Sequence, residues 1–206
     1  VTAARVVHVD AFAARPGMGN PAGVLLDADG LGDPAMQAIA HAVGFNETAF
    51  VLTSTRADLR LRYFTPGHEV DLCGHATVAT FVLLHRSGGL PGAGSPRRLT
   101  LETRAGLLSI TLQTDGAEPL VVMEQAPARF ADCNGPREGL ARVLGASVHD
   151  LHPSLPIVYG STGLWALLVP VRSLDAIPLL LAALRDRGGS GHRHRLRGAG
   201  REAAIP

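Results

Sequence analysis

Asp71-Leu72-Cys73-Gly74-His75-Ala76-Thr77, followed at once by the uncharged, mostly apolar run Val78 to Leu84, is the stretch that decides how this chain folds. Three chemically capable side chains surround a glycine. The segment from about Ala76 to His85 then reads as a helix that is apolar on nearly every face. Such a helix is normally surrounded on all sides rather than laid on a surface. A polar cluster feeding straight into it places a site at a helix N-terminus. There the free backbone N–H groups and the positive end of the helix dipole favour an anion.

Outward from that helix the chain alternates strands with short, well-punctuated helices. Residues 5–12 read as a strand, Gly17 to Pro21 as a turn, and Ala22 to Leu26 as a second strand. Asp33 is placed to cap a short helix, Pro34 fits its first position, and Gly44 fits just past its end. Met36, Ile39, Ala40 and Val43 share one helical face and are candidates for a core. Thr48 to Leu52 and the alternating Leu59 to Arg62 read as strands, the latter half-buried and antiparallel. Two further strands flank Ala105-Gly106 as a hairpin. The turn at residues 115–119 is a plausible domain boundary. Beyond it come strands at 120–125, 155–159 and 164–171, and helices at 136–144 and 174–184. Arg185 to Arg201 is rich in Arg, Gly and His and has almost no apolar periodicity. It reads as a disordered end, unable to offset its ordering entropy, or as an interruption of the natural chain.

The composition narrows the function classes. The 206 residues allow one large domain or two small ones, and 46% hydrophobic against 18% charged residues describes a folding chain. A net charge of +1 makes neither nucleic acid nor an anionic membrane the default partner. Every basic residue other than histidine is arginine, so Schiff-base lysine chemistry is excluded. Two cysteines, Cys73 and Cys133, make no disulfide framework and fit a reduced, cytoplasmic setting. No apolar run has the length of a membrane span, and the first residues lack the layout of a signal peptide.

Several residues are candidates for chemistry, each with a plainer alternative. Glu47 is either a solvated charge beside a strand or a general acid/base set among apolar neighbours such as Phe45 and Phe50. His75 either satisfies backbone groups or moves a proton. Cys73 is either a reactive thiol, activated at the helix start, or a small buried hydrophobe. Asp71 is expected to cap the helix or to orient His75. Asn20, in the turn Gly19-Asn20-Pro21, is either a plain turn residue or a polar wall of a pocket. His68, Cys73 and His75 match no standard zinc spacing, so no metal is expected. Phosphate-binding glycine loops and a G-x-S-x-G elbow are absent.

The pieces Gly19-Asn20-Pro21, Asn46-Glu47-Thr48-Ala49-Phe50, Arg62-Tyr63-Phe64-Thr65-Pro66 and Glu69 to Thr77, in this order and spacing, resemble the PhzF-like family, the phenazine-biosynthesis-like isomerases. The likeness covers roughly residues 5–184. It implies an α+β, diaminopimelate-epimerase-like fold in which a curved, mostly antiparallel sheet wraps a central helix. In that reading residues 1–116 are the first domain, 117–184 an incomplete second and similar domain, and 185–206 a tail. It implies a cofactor-independent proton transfer on a small carboxylated metabolite, in a homodimer. Glu47 falls on the family's acid/base glutamate, His75 on its histidine, and Gly74 on the glycine whose N–H faces substrate. Asn20, Cys73 and Asp71 lie in the matching motifs. The acidic and Gly/Ser-rich motif that completes the family's cleft from its second half has no counterpart here. Related racemases use two cysteines. Cys73 lies where the first would be, whereas Cys133 lies in a loop, which leaves a cysteine-dependent amino-acid racemase or epimerase as one alternative and an inactive, truncated remnant that only binds ligand as another.

Overall fold

The computed structural model describes residues 4–15, 17–91, 94–114, 119–177 and 203–205. The chain divides into two compact units, the first running to Gln125 and including the strand near the far terminus, the second spanning Ala126–Arg195.

The first unit is a mixed sheet around a helix. Its strands are β1 (Ala4–Ala11), β2 (Asn20–Leu25), β3 (Glu47–Leu52), β4 (Leu59–Phe64), β5 (Glu69–Val70), β6 (Arg97–Thr103), β7 (Gly106–Gln113), β8 (Leu120–Met123) and β12 (Ala203–Ile205). The order is β12-β1-β2-β3-β4-β6-β7-β8, with β5 on β4. Only β2–β3 and β4–β6 pair in parallel. Helix α2 (Gly74–Ser87) packs against β1, β2, β3 and β8. Since β1 and β8 stand near opposite ends of the sheet, the sheet has to curl around the helix to reach it from both sides. The all-round apolar sequence of α2 is thereby accounted for. Ala76, Ala79, Phe81 and Leu84 are buried, and so are Thr77 and Thr80, whose hydroxyls bond back to the carbonyls of Cys73 and Ala76.

Helix α1 (Asp33–Val43) covers the other face. Met36, Ile39 and Ala40 pack with Val6, Leu25, Phe50 and Phe64, and Val43 lies against that cluster. The N-cap is Gly32, not Asp33. The Asp33 carboxylate turns instead to Arg62, 2.6 Å away. Gly44 closes the helix in the left-handed region at φ 72°, as expected of a C-terminal glycine.

Two sequence expectations are corrected here. Asn20 and Pro21 belong to strand β2 rather than to a turn. The proline is tolerated because β3 begins to pair only at Ala22, opposite Glu47. The tight approach falls on Gly19, where a Cβ would run into the Ala11 carbonyl. Finally, β8 pairs with β7, so residues 120–125 finish the first unit and the division falls after Gln125 rather than at 116/117.

The second unit holds a three-stranded antiparallel sheet in the order β11-β10-β9, from β9 (Arg129–Asp132), β10 (Val158–Ser161) and β11 (Trp165–Leu168). It also holds α3 (Arg137–Leu144) and a 3₁₀ turn, Val148–Asp150. β10 runs two residues further than the sequence suggests. Gly160 makes that possible, because a Cβ there would lie 2.9 Å from Leu168 Cδ1. Of the helix expected at 174–184, residues 176 and 177 are helical and the rest lie outside the described residues, as does most of the tail. No described helix is long and apolar enough to cross a membrane.

Candidate active site

The strand period decides which way Glu47 points. It is the first residue of β3, and alternation puts it on the same face as Ala49 and Val51, which pack in the α2 core. Phe50 lies on the opposite face, in the α1 core, and Phe45 stacks on His8 at 4.5 Å. The aromatic neighbours expected from the sequence are therefore not a common wall around the carboxylate.

Facing Glu47 is the start of α2. Cys73 is the N-cap, in extended conformation and without a side-chain cap bond, while Gly74 and His75 form the first turn. His75 Nε2 lies 3.4 Å from Glu47 Oε2, and His75 Nδ1 lies 3.3 Å from Cys73 Sγ. The first separation is within ion-pair range but is not aligned as a hydrogen bond. Among the described residues both atoms are thus buried without a hydrogen-bond partner, as is Thr48 Oγ1. Leaving a buried polar atom unpaired costs about 1–3 kcal/mol, and such atoms in a native site call for an explanation. Gly74 is exposed, and a Cβ there would meet Met123 Cε at 3.7 Å.

Cys73 behaves as the buried hydrophobe of the two expectations. Burial, above all, pushes its thiol up to about 12, and the Glu47 carboxylate adds to the rise. The N–H groups of His75 and Ala76 pull the other way and do not overcome it. The helix start does act on the sulfur, but desolvation wins.

Asp71 does not cap α2. Its carboxylate lies 3.2 Å from Arg104 Nε, and Arg104 also reaches Glu69 at 2.8 Å. Glu69 in turn takes two bonds from Arg62, each 2.7 Å. This ion network fastens β5 and the residues leading into α2. Asn20 starts β2, two residues before the partner of Glu47, on the same sheet end. His68 is outside the cluster, bonded within its own turn to Thr65.

Sequence reasoning missed the support beneath the helix start. Tyr63 Oη lies 2.7 Å from Thr77 Oγ1, which donates to the Cys73 carbonyl at 2.7 Å. Both side chains are fully buried, and burial raises the Tyr63 phenol well above its ordinary value. The signals were there: Tyr63 falls on the inward positions of β4, and Thr77 lies one helical turn past Cys73.

The family model described as phenazine biosynthesis-like protein matches residues 9–186. The chain belongs to this family. An uncharacterized isomerase of Bacillus subtilis is 44% identical over 84% of the chain and 58% of its own length. The crystal structure of a PhzF-family phenazine biosynthesis protein from Bacillus anthracis superposes with a TM-score of 0.75 at 50% identity, covering 86% of this chain and 58% of that one. A trans-2,3-dihydro-3-hydroxyanthranilate isomerase of Pseudomonas aeruginosa is 36% identical over 66% of the chain and 48% of its own length. The chain thus spans 58% of the length of its Bacillus subtilis relative. The family's α+β fold, with a curved sheet around a central helix, is the one described above.

Proposed function

We propose that this chain carries one wall of a cofactor-independent isomerase site that relocates a proton on a small carboxylated metabolite. The observation that carries the reading is the pair Glu47 Oε2 and His75 Nε2, buried, 3.4 Å apart and, among the described residues, without hydrogen-bond partners. Two groups able to hold a proton, held ready at a helix start, are what a general acid/base step requires. Glu47 takes a proton from a substrate carbon and returns it at another position. The N–H end of α2 at Gly74 receives the substrate carboxylate, and His75 keeps the transferred proton within reach. The names of the relatives support the reaction class, since they are isomerases and one is named for a hydroxyanthranilate, itself a carboxylate.

Glu47→Gln keeps the shape of the side chain and removes its basicity. The variant is expected to lose solvent-deuterium incorporation into the substrate carbon of whichever small acid the natural chain exchanges. Undiminished exchange would sink the assignment. A thiol mechanism through Cys73 is the weaker reading, because a thiol held near 12 supplies little thiolate at neutral pH. Full activity in Cys73→Ala would eliminate it. In the same reading the enzyme works as a cytoplasmic homodimer. Sedimentation showing only monomer at assay concentration would remove the dimer.

A further inference from the structure

We propose that Glu47, Cys73 and His75 also form a binding site for one thiophilic divalent cation of the zinc type, which blocks the proton-transfer position while it is bound. One donor atom from each of the three lies within 4.8 Å of the others, bringing together a carboxylate oxygen, an imidazole nitrogen and a sulfur. Zinc bonds of about 2.0–2.3 Å to these atom types put tetrahedral ligands about 3.3–3.7 Å apart. The separation of 3.4 Å between His75 Nε2 and Glu47 Oε2 already falls in that range. Cys73 Sγ lies 3.3 Å from the other ring nitrogen, so a side-chain rotation is what closes the set.

The second observation is that Glu47 Oε2 and His75 Nε2 are both buried and, among the described residues, without a hydrogen-bond partner. A shared cation satisfies both at once. The sulfur decides which cation: thiolate and imidazole select zinc-like ions, whereas magnesium and calcium prefer oxygen ligands. As the sulfur–metal bond forms, the thiol releases its proton to solvent. Three protein ligands leave the fourth tetrahedral position open. The zinc pattern absent from the sequence concerned His68 with Cys73 and His75. The fold leaves His68 in its turn and brings in Glu47 from β3 instead. Cation binding is read without substrate and stands apart from the isomerase reading; only the blocking of proton transfer rests on that reading.

The full chain titrated with cobalt(II) as a spectroscopic stand-in is expected to develop a near-ultraviolet thiolate-to-cobalt band at one ion per chain, and zinc should displace it. The band should vanish in Cys73→Ser and persist in Cys133→Ser. Glu47→Gln should weaken affinity at least about tenfold, since losing even an outer partner of a ligand costs that much. Magnesium should neither produce nor displace the band. Zinc should also raise the melting temperature of the natural chain more than that of Glu47→Gln. This reading serves if Cys73→Ser fails to fold. Absence of the band in the natural chain, its survival in Cys73→Ser, its loss with Cys133, or equal zinc stabilisation of Glu47→Gln would each overturn the proposal.

Discussion

Glu47 owes the direction of its carboxylate to strand parity. One residue later, at the fully buried position of Thr48, its carboxylate would lie on the face of Phe50 and the α1 core rather than on that of α2. Cys73 shows the opposite case, a residue whose reactivity its position takes away. Because its thiol is held up to about 12, iodoacetamide at pH 8 is expected to label the half-exposed Cys133 well before Cys73, as peptide mass mapping can follow. The hydroxyl chain below it is testable by stability. Thr77→Val strands the buried Tyr63 hydroxyl and should cost about 1–3 kcal/mol in urea unfolding, whereas Tyr63→Phe removes the group outright and should cost less. Glu47 stood out beside the start of a strand in the Asn46-Glu47-Thr48 motif, and the positions of Gly74 and His75 were legible because the cluster sits where a helix must begin. The Tyr63–Thr77 pair and the Asp71–Arg104 bond were not, since both join elements whose neighbourhood only the folded sheet creates.

At the scale of elements, helices were easier to read than strands. α1 and α2 each carry a glycine at their C-terminus, at φ 72° and 69°, and that punctuation is visible in the chain. Strand limits depend on partners. Asn20-Pro21 looks like a turn until β1 is laid beside it, and the strand at 120–123 looks like the start of a new domain until β7 is known to pair with it. The β2 strand also comes close to α1. A Cβ on Gly23 would lie 2.9 Å from Thr48 Oγ1 and 3.1 Å from Val43 Cγ1 and Val6 Cγ1. Gly23→Ala is therefore expected to lower stability by about 1–3 kcal/mol, as overpacking does. Phe81→Ala empties a fully buried position of α2 and should cost about 3–5 kcal/mol. Chemical denaturation would check both.

For the molecule as a whole, ionisable groups set the pH limits of stability. Asp33 and Glu69 are held below their ordinary values chiefly by hydrogen bonds from Arg62, and Asp58 by the Thr100 backbone. Their contribution is complete above the ordinary carboxyl range and is lost as pH falls through the depressed folded values. Asp33, fully exposed, is screened most by salt. On the alkaline side Cys73 keeps its proton in the folded state between the ordinary 9.0 and about 12, while the unfolded thiol ionises. The folded state then binds more protons, so stability falls across that window. Melting temperatures measured against pH should form a plateau that declines at both ends, and Cys73→Ser should flatten the onset of the alkaline decline. The curled sheet has a consequence for synthesis as well. β1, β2 and β3 precede α2 in the chain and β8 follows it by more than a hairpin. A ribosome that has delivered α2 has therefore made a greasy helix with only part of its wrapping, and the nascent chain must wait for Leu120–Met123 to emerge before that helix is enclosed. This interval is when a holding chaperone has most to bind.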